Sequence, residues 1–165
     1  MILLSMMIKF PEPPDSFDNE NEPAVSINNP YEFGLPVNEL QLNEISAIIE
    51  GAEKVQFSRV EVVYVDEQKI IDINREYLNR DYVTDIISFR YDEHDSNAIE
   101  GTLFCCAPRI AEQSSVYSTS HKEEFFRIFI HGLLHLTGYD DQTPAEKKEM
   151  TRLEDYYLKK ITEAG

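Results

Sequence analysis

The feature that most constrains this chain is the segment 122–137, whose middle, from Phe125 to Leu136, is almost continuously apolar. Its spacing predicts a helix, and a helix that is apolar on most of its sides has to be buried inside a domain. A buried helix requires other elements packed around it. The remainder of the 165-residue chain is long enough to supply them around a single core.

The segments around this helix predict a small β-sheet and further helices. β-Branched and aromatic runs predict strands over 24–27, 57–65, 84–89 and 101–106. Apolar periodicity predicts helices over 37–52, ending at Gly51, over 66–78 after an Asp66 cap, and over 108–115. Thr143, Pro144 and Glu146 have the pattern of a capping box that begins a last amphipathic helix. This order indicates an α+β fold, with a small mixed sheet packed with helices and a C-terminal amphipathic helix.

The ends of the chain differ in composition. Residues 11–23 are rich in Pro, Asp, Glu and Asn, so we expect residues 1–23 to form a poorly ordered leader and 24–165 to form one domain. Residues 1–7 are apolar but lack the basic start and small-residue cleavage site of a signal peptide. No apolar run approaches the roughly 20 residues that span a bilayer. We therefore expect no membrane association and a cytoplasmic location.

Charge and cysteine content argue against a protein that coats nucleic acid and against a disulfide-stabilised protein. The net charge of -16 is wrong for a protein that coats nucleic acid by bulk electrostatics, although a nuclease with a local basic cleft remains possible. The two cysteines, Cys105 and Cys106, are adjacent and in a strand would point to opposite faces. We therefore expect two buried free thiols and no disulfide framework.

The residues that carry chemistry lie at the end of the apolar helix. His131 and His135 are four residues apart, so both imidazoles project from one helix face. Gly138 is placed to take the left-handed conformation that ends a helix and turns the chain back. A carboxylate about three residues later, Asp141 or its neighbour Asp140, can then approach the two histidines. Two imidazoles and one carboxylate suit zinc with one coordination position open, as in catalytic sites.

One position argues against the best-known enzymes with this histidine spacing. Zinc peptidases carry a glutamate directly after the first histidine, where it acts as general base. Here that residue is Gly132. The alternatives at this point are a degenerate zinc peptidase without its base, or a binding protein that the metal only stabilises.

The segment from His131 to Asp141 resembles the signature of the YbeY family of metal-dependent endoribonucleases, H-G-x-L-H-L-x-G-Y-D-H. It matches every fixed position except the last, where Asp141 stands in place of the third histidine. Residues 74–89 also resemble a family block that leads into a T-D-V-L-S-F strand, and Gly101 begins a weaker third match. Met150 and Glu154 fit the family's C-terminal helix. The resemblance covers residues 24–160 and implies a zincin-like arrangement.

The resemblance implies a single-strand-specific, metal-dependent endoribonuclease that acts in ribosomal RNA maturation and ribosome quality control. It implies metal ligation by His131, His135 and Asp141, and ribosomal RNA and the small ribosomal subunit as partners. Zinc is the expected ion, although an anionic carboxylate ligand moves the preference towards manganese or magnesium. The expected catalytic residues are Arg75, Arg80, Asp140, and also Arg90. The arginines would hold a phosphate, and Asp140 or Tyr139 would orient the site.

Two further departures from the family concern catalysis. The family's arginine after the aromatic residue of the second helix is Leu78 here, and Thr102 replaces an acidic residue. Arg75 and Arg80 lie near enough in sequence to substitute for the missing arginine, although a surface ion pair is an equal alternative. If catalysis is lost, the chain would be a ribosome-associated binding protein stabilised by its metal.

Overall fold

The computed structural model describes residues 4–5, 22–92 and 98–164. Its five strands are β1 (Leu4–Ser5), β2 (Val25–Asn28), β3 (Gln56–Val65), β4 (Ile86–Arg90) and β5 (Ala98–Cys106). Its five helices are α1 (Glu39–Glu53), α2 (Glu67–Leu78), α3 (Ala107–Val116), α4 (His121–Thr137) and α5 (Pro144–Ala164). The elements predicted over 24–165 are therefore all present, and the α+β class is confirmed.

The strands form one mixed sheet in the order β1-β4-β5-β3-β2. β4 runs antiparallel to β5, whereas the other neighbouring pairs are parallel. The longest pairing joins β3 to β5, with Val62 opposite Leu103, and it forms the centre of the sheet. The short β1 pairs with Phe89 and Arg90 at the end of β4.

Alternation along the strands divides the buried side chains between the two faces of the sheet. On one face, residues such as Val62, Ile86 and Leu103 pack against the buried sides of α1, α3, α4 and α5. On the other face, Val63 and Ile87 pack against α2. Cys105 belongs to the first face and Cys106 to the second, and both are buried free thiols, as their adjacency predicts. Helix α4 is thus enclosed between the sheet and its neighbouring helices.

Several boundaries differ from the sequence prediction by one to three residues, and two of these differences have a clear structural reason. Helix α1 does not end at Gly51; it continues to Glu53, and Lys54 takes the left-handed conformation with φ 56°. The backbone N–H of Lys54 donates a hydrogen bond to the carbonyl of Glu50. This hydrogen bond offsets the steric cost of the left-handed conformation at a residue that is not glycine. The start of β5 lies three residues before Gly101, because pairing with the long β3 extends it.

Other predictions concern residues outside the described part. The leader predicted over 1–23 falls mostly there, as does the centre of the loop between β4 and β5. The division into a leader and a domain therefore stays a prediction. None of the helices in the described ranges is long and apolar enough to cross a membrane.

Candidate metal centre

Helix α4 presents the two histidines, and its ends are fixed as the sequence predicts. Ser120 caps the first turn by accepting a hydrogen bond from the backbone N–H of Glu123. Gly138 ends the helix at φ 113°, and its N–H donates to the carbonyl of His135. This backbone conformation, which favours glycine, turns the chain so that Asp141 returns to the histidine face.

Three side-chain atoms converge at this turn. The Nε2 atoms of His131 and His135 lie 3.0 Å apart. Oδ2 of Asp141 lies 3.5 Å from Nε2 of His131 and 3.6 Å from Nε2 of His135. Ligand atoms about 2.0–2.1 Å from a tetrahedral zinc ion are separated by about 3.3 Å. The three atoms therefore have the mutual spacing of ligands around a single ion.

The polar environment also fits a cation. Lone pairs that point at one another across these distances repel unless a proton or a metal ion lies among them. Within the described part of the chain, Nδ1 of His135 and Oδ1 of Asp141 are buried without a hydrogen-bond partner. The His135 side chain is 0% exposed, whereas His131 and Asp141 are 15% and 14% exposed. The cluster thus has one buried side and one side open to solvent.

Burial also fixes the protonation state that ligation requires. It lowers the pKa of His135 to about 4, with a further lowering from the neighbouring His131 that opposes the attraction of Asp141. His135 is therefore neutral at physiological pH. A neutral imidazole has a lone pair available for a metal ion.

The structure distinguishes the two adjacent aspartates. Asp141 lies against the histidines, whereas Asp140 is exposed and lies outside the cluster. Oδ1 of Asp140 accepts a hydrogen bond of 2.9 Å from the backbone N–H of Asp141. Asp140 therefore supports the turn that presents Asp141. Whether Asp140 also takes part in catalysis stays a prediction.

Glu154 of α5, a carboxylate to which the sequence motifs assign no role, contacts the histidine–aspartate cluster. Its Oε2 lies 2.8 Å from Nδ1 of His131. The residue is only 8% exposed, and Arg127 lies 3.4 Å from its other oxygen. The family resemblance includes Glu154 in the last helix and gives it no role. Its contact with His131 depends on how α5 packs against α4.

A second carboxylate, Glu53, holds the loop after α4. It accepts hydrogen bonds from the hydroxyls of Tyr139 at 2.7 Å and Tyr157 at 2.5 Å. Tyr139 follows the turning glycine, and Tyr157 is buried on α5. The three residues therefore link the end of α1, the loop that carries Asp141, and α5. Tyr139 thus anchors this loop to Glu53, and its expected role in orienting a metal site stays a prediction.

The predicted phosphate-binding arginines all have polar partners of their own. Arg75 pairs with Asp81 at 2.5 Å, and Arg80 donates to the hydroxyl of Tyr82. Arg90 is 12% exposed, makes two hydrogen bonds to Asp92 and donates a third to the carbonyl of Leu136. Arg90 thus stabilises the end of α4, while Arg75 and Arg80 remain on the surface near the C-terminal end of α2.

The two departures from the family pattern have packing roles. Leu78 is half-buried and packs against the hydrophobic side chains on the α2 face of the sheet, which is opposite the face that α4 covers. Thr102 is 8% exposed and accepts a hydrogen bond of 2.9 Å from the hydroxyl of Tyr91. Neither side chain belongs to the histidine–aspartate cluster.

Gly132 has a structural reason to be glycine. A Cβ atom built on it would lie 2.7 Å from Cδ1 of Ile86 and 2.9 Å from Cδ1 of Leu103. Position 132 therefore faces the sheet at close approach. A glutamate there would have to displace core side chains, so this helix cannot present the general base of a zinc peptidase without repacking.

Comparison with known proteins shows the family of the chain. The family model described as Endoribonuclease YbeY matches residues 34–162. A protein of Chlorobaculum parvum named Endoribonuclease YbeY is 35% identical over 129 residues, which cover 78% of this chain and 90% of that protein. A protein of Bacteroides fragilis with the same name is 36% identical over 114 residues, covering 69% and 80% of the two chains.

A solved structure shows the same fold. The solution structure of TM1509 from Thermotoga maritima superposes with a TM-score of 0.52 at 24% identity. The match covers 82% of this chain and 89% of the other.

Proposed function

Because the chain belongs to the Endoribonuclease YbeY family, we propose that it cleaves phosphodiester bonds of ribosomal RNA with a divalent metal held by His131, His135 and Asp141. The observation that carries this proposal is the convergence of one atom from each of these side chains within the segment that matches the family signature. We propose zinc as the ion, with manganese or magnesium as the alternative that a carboxylate ligand favours.

The chemistry divides between the metal and the protein. When bound, a divalent cation supplies positive charge that stabilises the phosphoryl oxygens and lowers the pKa of water. His135 supplies a neutral imidazole from the buried side, and the slightly exposed His131 and Asp141 supply the side that opens to solvent, where a substrate would enter. Glu53 and Tyr139 hold the loop that carries Asp141.

The finer substrate class follows from the family resemblance. We propose that the enzyme acts on single-stranded segments of ribosomal RNA in the cytoplasm, in ribosomal RNA maturation and ribosome quality control, with the small ribosomal subunit as its partner. The net charge of -16 means that binding depends on local cations and not on overall attraction. The candidates at the surface are the exposed Arg75 and the half-buried Arg80, from which a phosphate would displace Asp81 and Tyr82.

The test uses purified protein and a labelled single-stranded RNA from a ribosomal precursor, with the same strand annealed to its complement. The proposal is supported if the protein cleaves the single strand, a chelator abolishes this cleavage and added zinc restores it. The matched variants are Asp141→Ala, expected to lose both the metal and cleavage, and Asp140→Ala, expected to keep the metal, so that its cleavage rate tests the orienting role expected of Asp140. A 5′-phosphate product indicates attack by water, and a cyclic phosphate indicates attack by the 2′-hydroxyl.

A ribosome-associated protein that the metal only stabilises is the second candidate, because Leu78 and Thr102 replace residues expected to assist catalysis. It predicts metal binding and association with the small subunit without cleavage of either RNA. Absence of both RNA cleavage and association with the small subunit in zinc-loaded protein would refute the proposal and this alternative together.

A further inference from the structure

Helix α5 contributes a buried acidic group to the neighbourhood of the metal centre. Glu154 is 8% exposed, and its two oxygens have different partners. Oε2 lies 2.8 Å from Nδ1 of His131, and Oε1 lies 3.4 Å from the guanidinium of Arg127. A buried carboxylate is costly unless it is paired, and here a cation and an imidazole on α4 pair with it.

The contact determines which nitrogen of His131 carries the proton. An ionised carboxylate only accepts hydrogen bonds, so Nδ1 of His131 must donate to Glu154. The lone pair of the neutral ring then lies on Nε2. That atom is the one that faces Nε2 of His135 at 3.0 Å and Oδ2 of Asp141 at 3.5 Å.

We propose that Glu154 is a positioning residue that holds His131 in its metal-binding tautomer, with Nε2 directed at the ion. This inference rests on the proposed metal centre of His131, His135 and Asp141. Arg127 assists by donating a hydrogen bond to Oε1, which leaves Oε2 for His131. Carboxylates that accept from the second nitrogen of a ligating histidine typically contribute 10–100-fold to metal affinity.

The amide variant Glu154→Gln separates this role from mere space filling. Arg127 can only donate hydrogen bonds, so it would take the amide oxygen of the new side chain. The amide NH₂ group would then point at His131 and donate to Nδ1. This arrangement moves the proton to Nε2 and blocks ligation, although the size and packing of the side chain are almost unchanged.

The experiment measures zinc affinity by competition with a chromophoric chelator in wild-type protein and in two variants. We expect Glu154→Gln to bind zinc about 10–100-fold more weakly. The matched control is Asp155→Asn, which removes the negative charge of the exposed side chain that lies 3.0 Å from the same Arg127 and does not touch His131. We expect its zinc affinity to stay within about twofold of wild type.

A second measurement reports the tautomer directly. Long-range ¹H–¹⁵N spectra are recorded on ¹⁵N-labelled, metal-free proteins. They should show the His131 proton on Nδ1 in wild-type protein and on Nε2 in Glu154→Gln. If wild-type His131 carries its proton on Nε2, the inference is wrong, whether or not the variant folds. Circular dichroism of the metal-free proteins confirms that the variants being compared share one fold.

The outcomes separate this inference from the proposed function. If wild-type protein binds zinc and Glu154→Gln binds it equally well, only the role of Glu154 is wrong. If wild-type protein binds no zinc, manganese or magnesium, the metal centre itself is wrong and the inference fails with it.

Discussion

Replacing glycine by alanine at two helical positions tests how closely α4 approaches the sheet. Gly132 lies inside α4 and Gly51 lies inside α1, so the gain in helix propensity is nearly the same for both, about 1 kcal/mol. Around Gly51 no atom lies within 4 Å of an added Cβ. Gly51→Ala should therefore stabilise the protein by about 0.5–1 kcal/mol.

At Gly132, packing opposes the stabilisation that alanine would otherwise bring. Its added Cβ meets Ile86 at 2.7 Å and Leu103 at 2.9 Å, and both side chains are 0% exposed, so they have little room to move. Overpacking of this kind costs about 1–3 kcal/mol. After subtraction of the propensity gain, Gly132→Ala should be neutral or destabilising by up to about 2 kcal/mol.

The assay is equilibrium unfolding in urea of metal-free wild-type protein and both variants. Because the propensity contribution cancels, the difference between the two variants isolates the packing cost, and we expect about 1–3 kcal/mol. If both variants are stabilised equally, α4 does not approach the sheet closely at Gly132. The structural reason for the absence of a peptidase base at that position would then fail as well.

Three further predictions concern the site and its supports. Zinc at 100 times its Kd should stabilise wild-type protein by about 2.7 kcal/mol, or roughly 5–11 °C in Tm. Thermal unfolding should show that Asp140→Ala retains this shift and that Asp141→Ala loses it. The reverse pattern would identify Asp140 as the ligand. Glu53→Ala removes the acceptor of two tyrosine hydroxyls and should cost roughly 1.5–3 kcal/mol in urea unfolding, whereas a value near zero would contradict its linking role. Burial raises the pKa of Asp92, but hydrogen bonds from Arg90 and the backbone outweigh this effect and leave the pKa below its usual value. The ionised Asp92 therefore contributes stability above about pH 4, and this contribution is lost as the pH falls through the folded-state pKa. Asp92→Asn should therefore lose less stability than wild type between about pH 4 and pH 2, and equal losses in urea unfolding would refute this assignment.

The sequence alone determined the helix that carries the site and the turn that follows it. Apolar residues on most sides of the segment 122–137 require burial, and the spacing of His131 and His135 requires one helix face, whatever surrounds it. Gly138 permits the turn that returns the chain. These are local properties, since they depend on backbone geometry and on residues within a few turns of one another.

Tertiary structure decided the contacts between elements that are distant in sequence. Glu154 reaches His131 from 23 residues away, and Glu53 reaches Tyr139 from 86 residues away. Arg90, whose phosphate-binding role stays a prediction, donates hydrogen bonds to Asp92 and to the carbonyl of Leu136 in α4, 46 residues away. Periodicity and motif spacing carry no information on such pairs, because which faces of α1, α4, α5 and β4 meet is set by packing of the whole core.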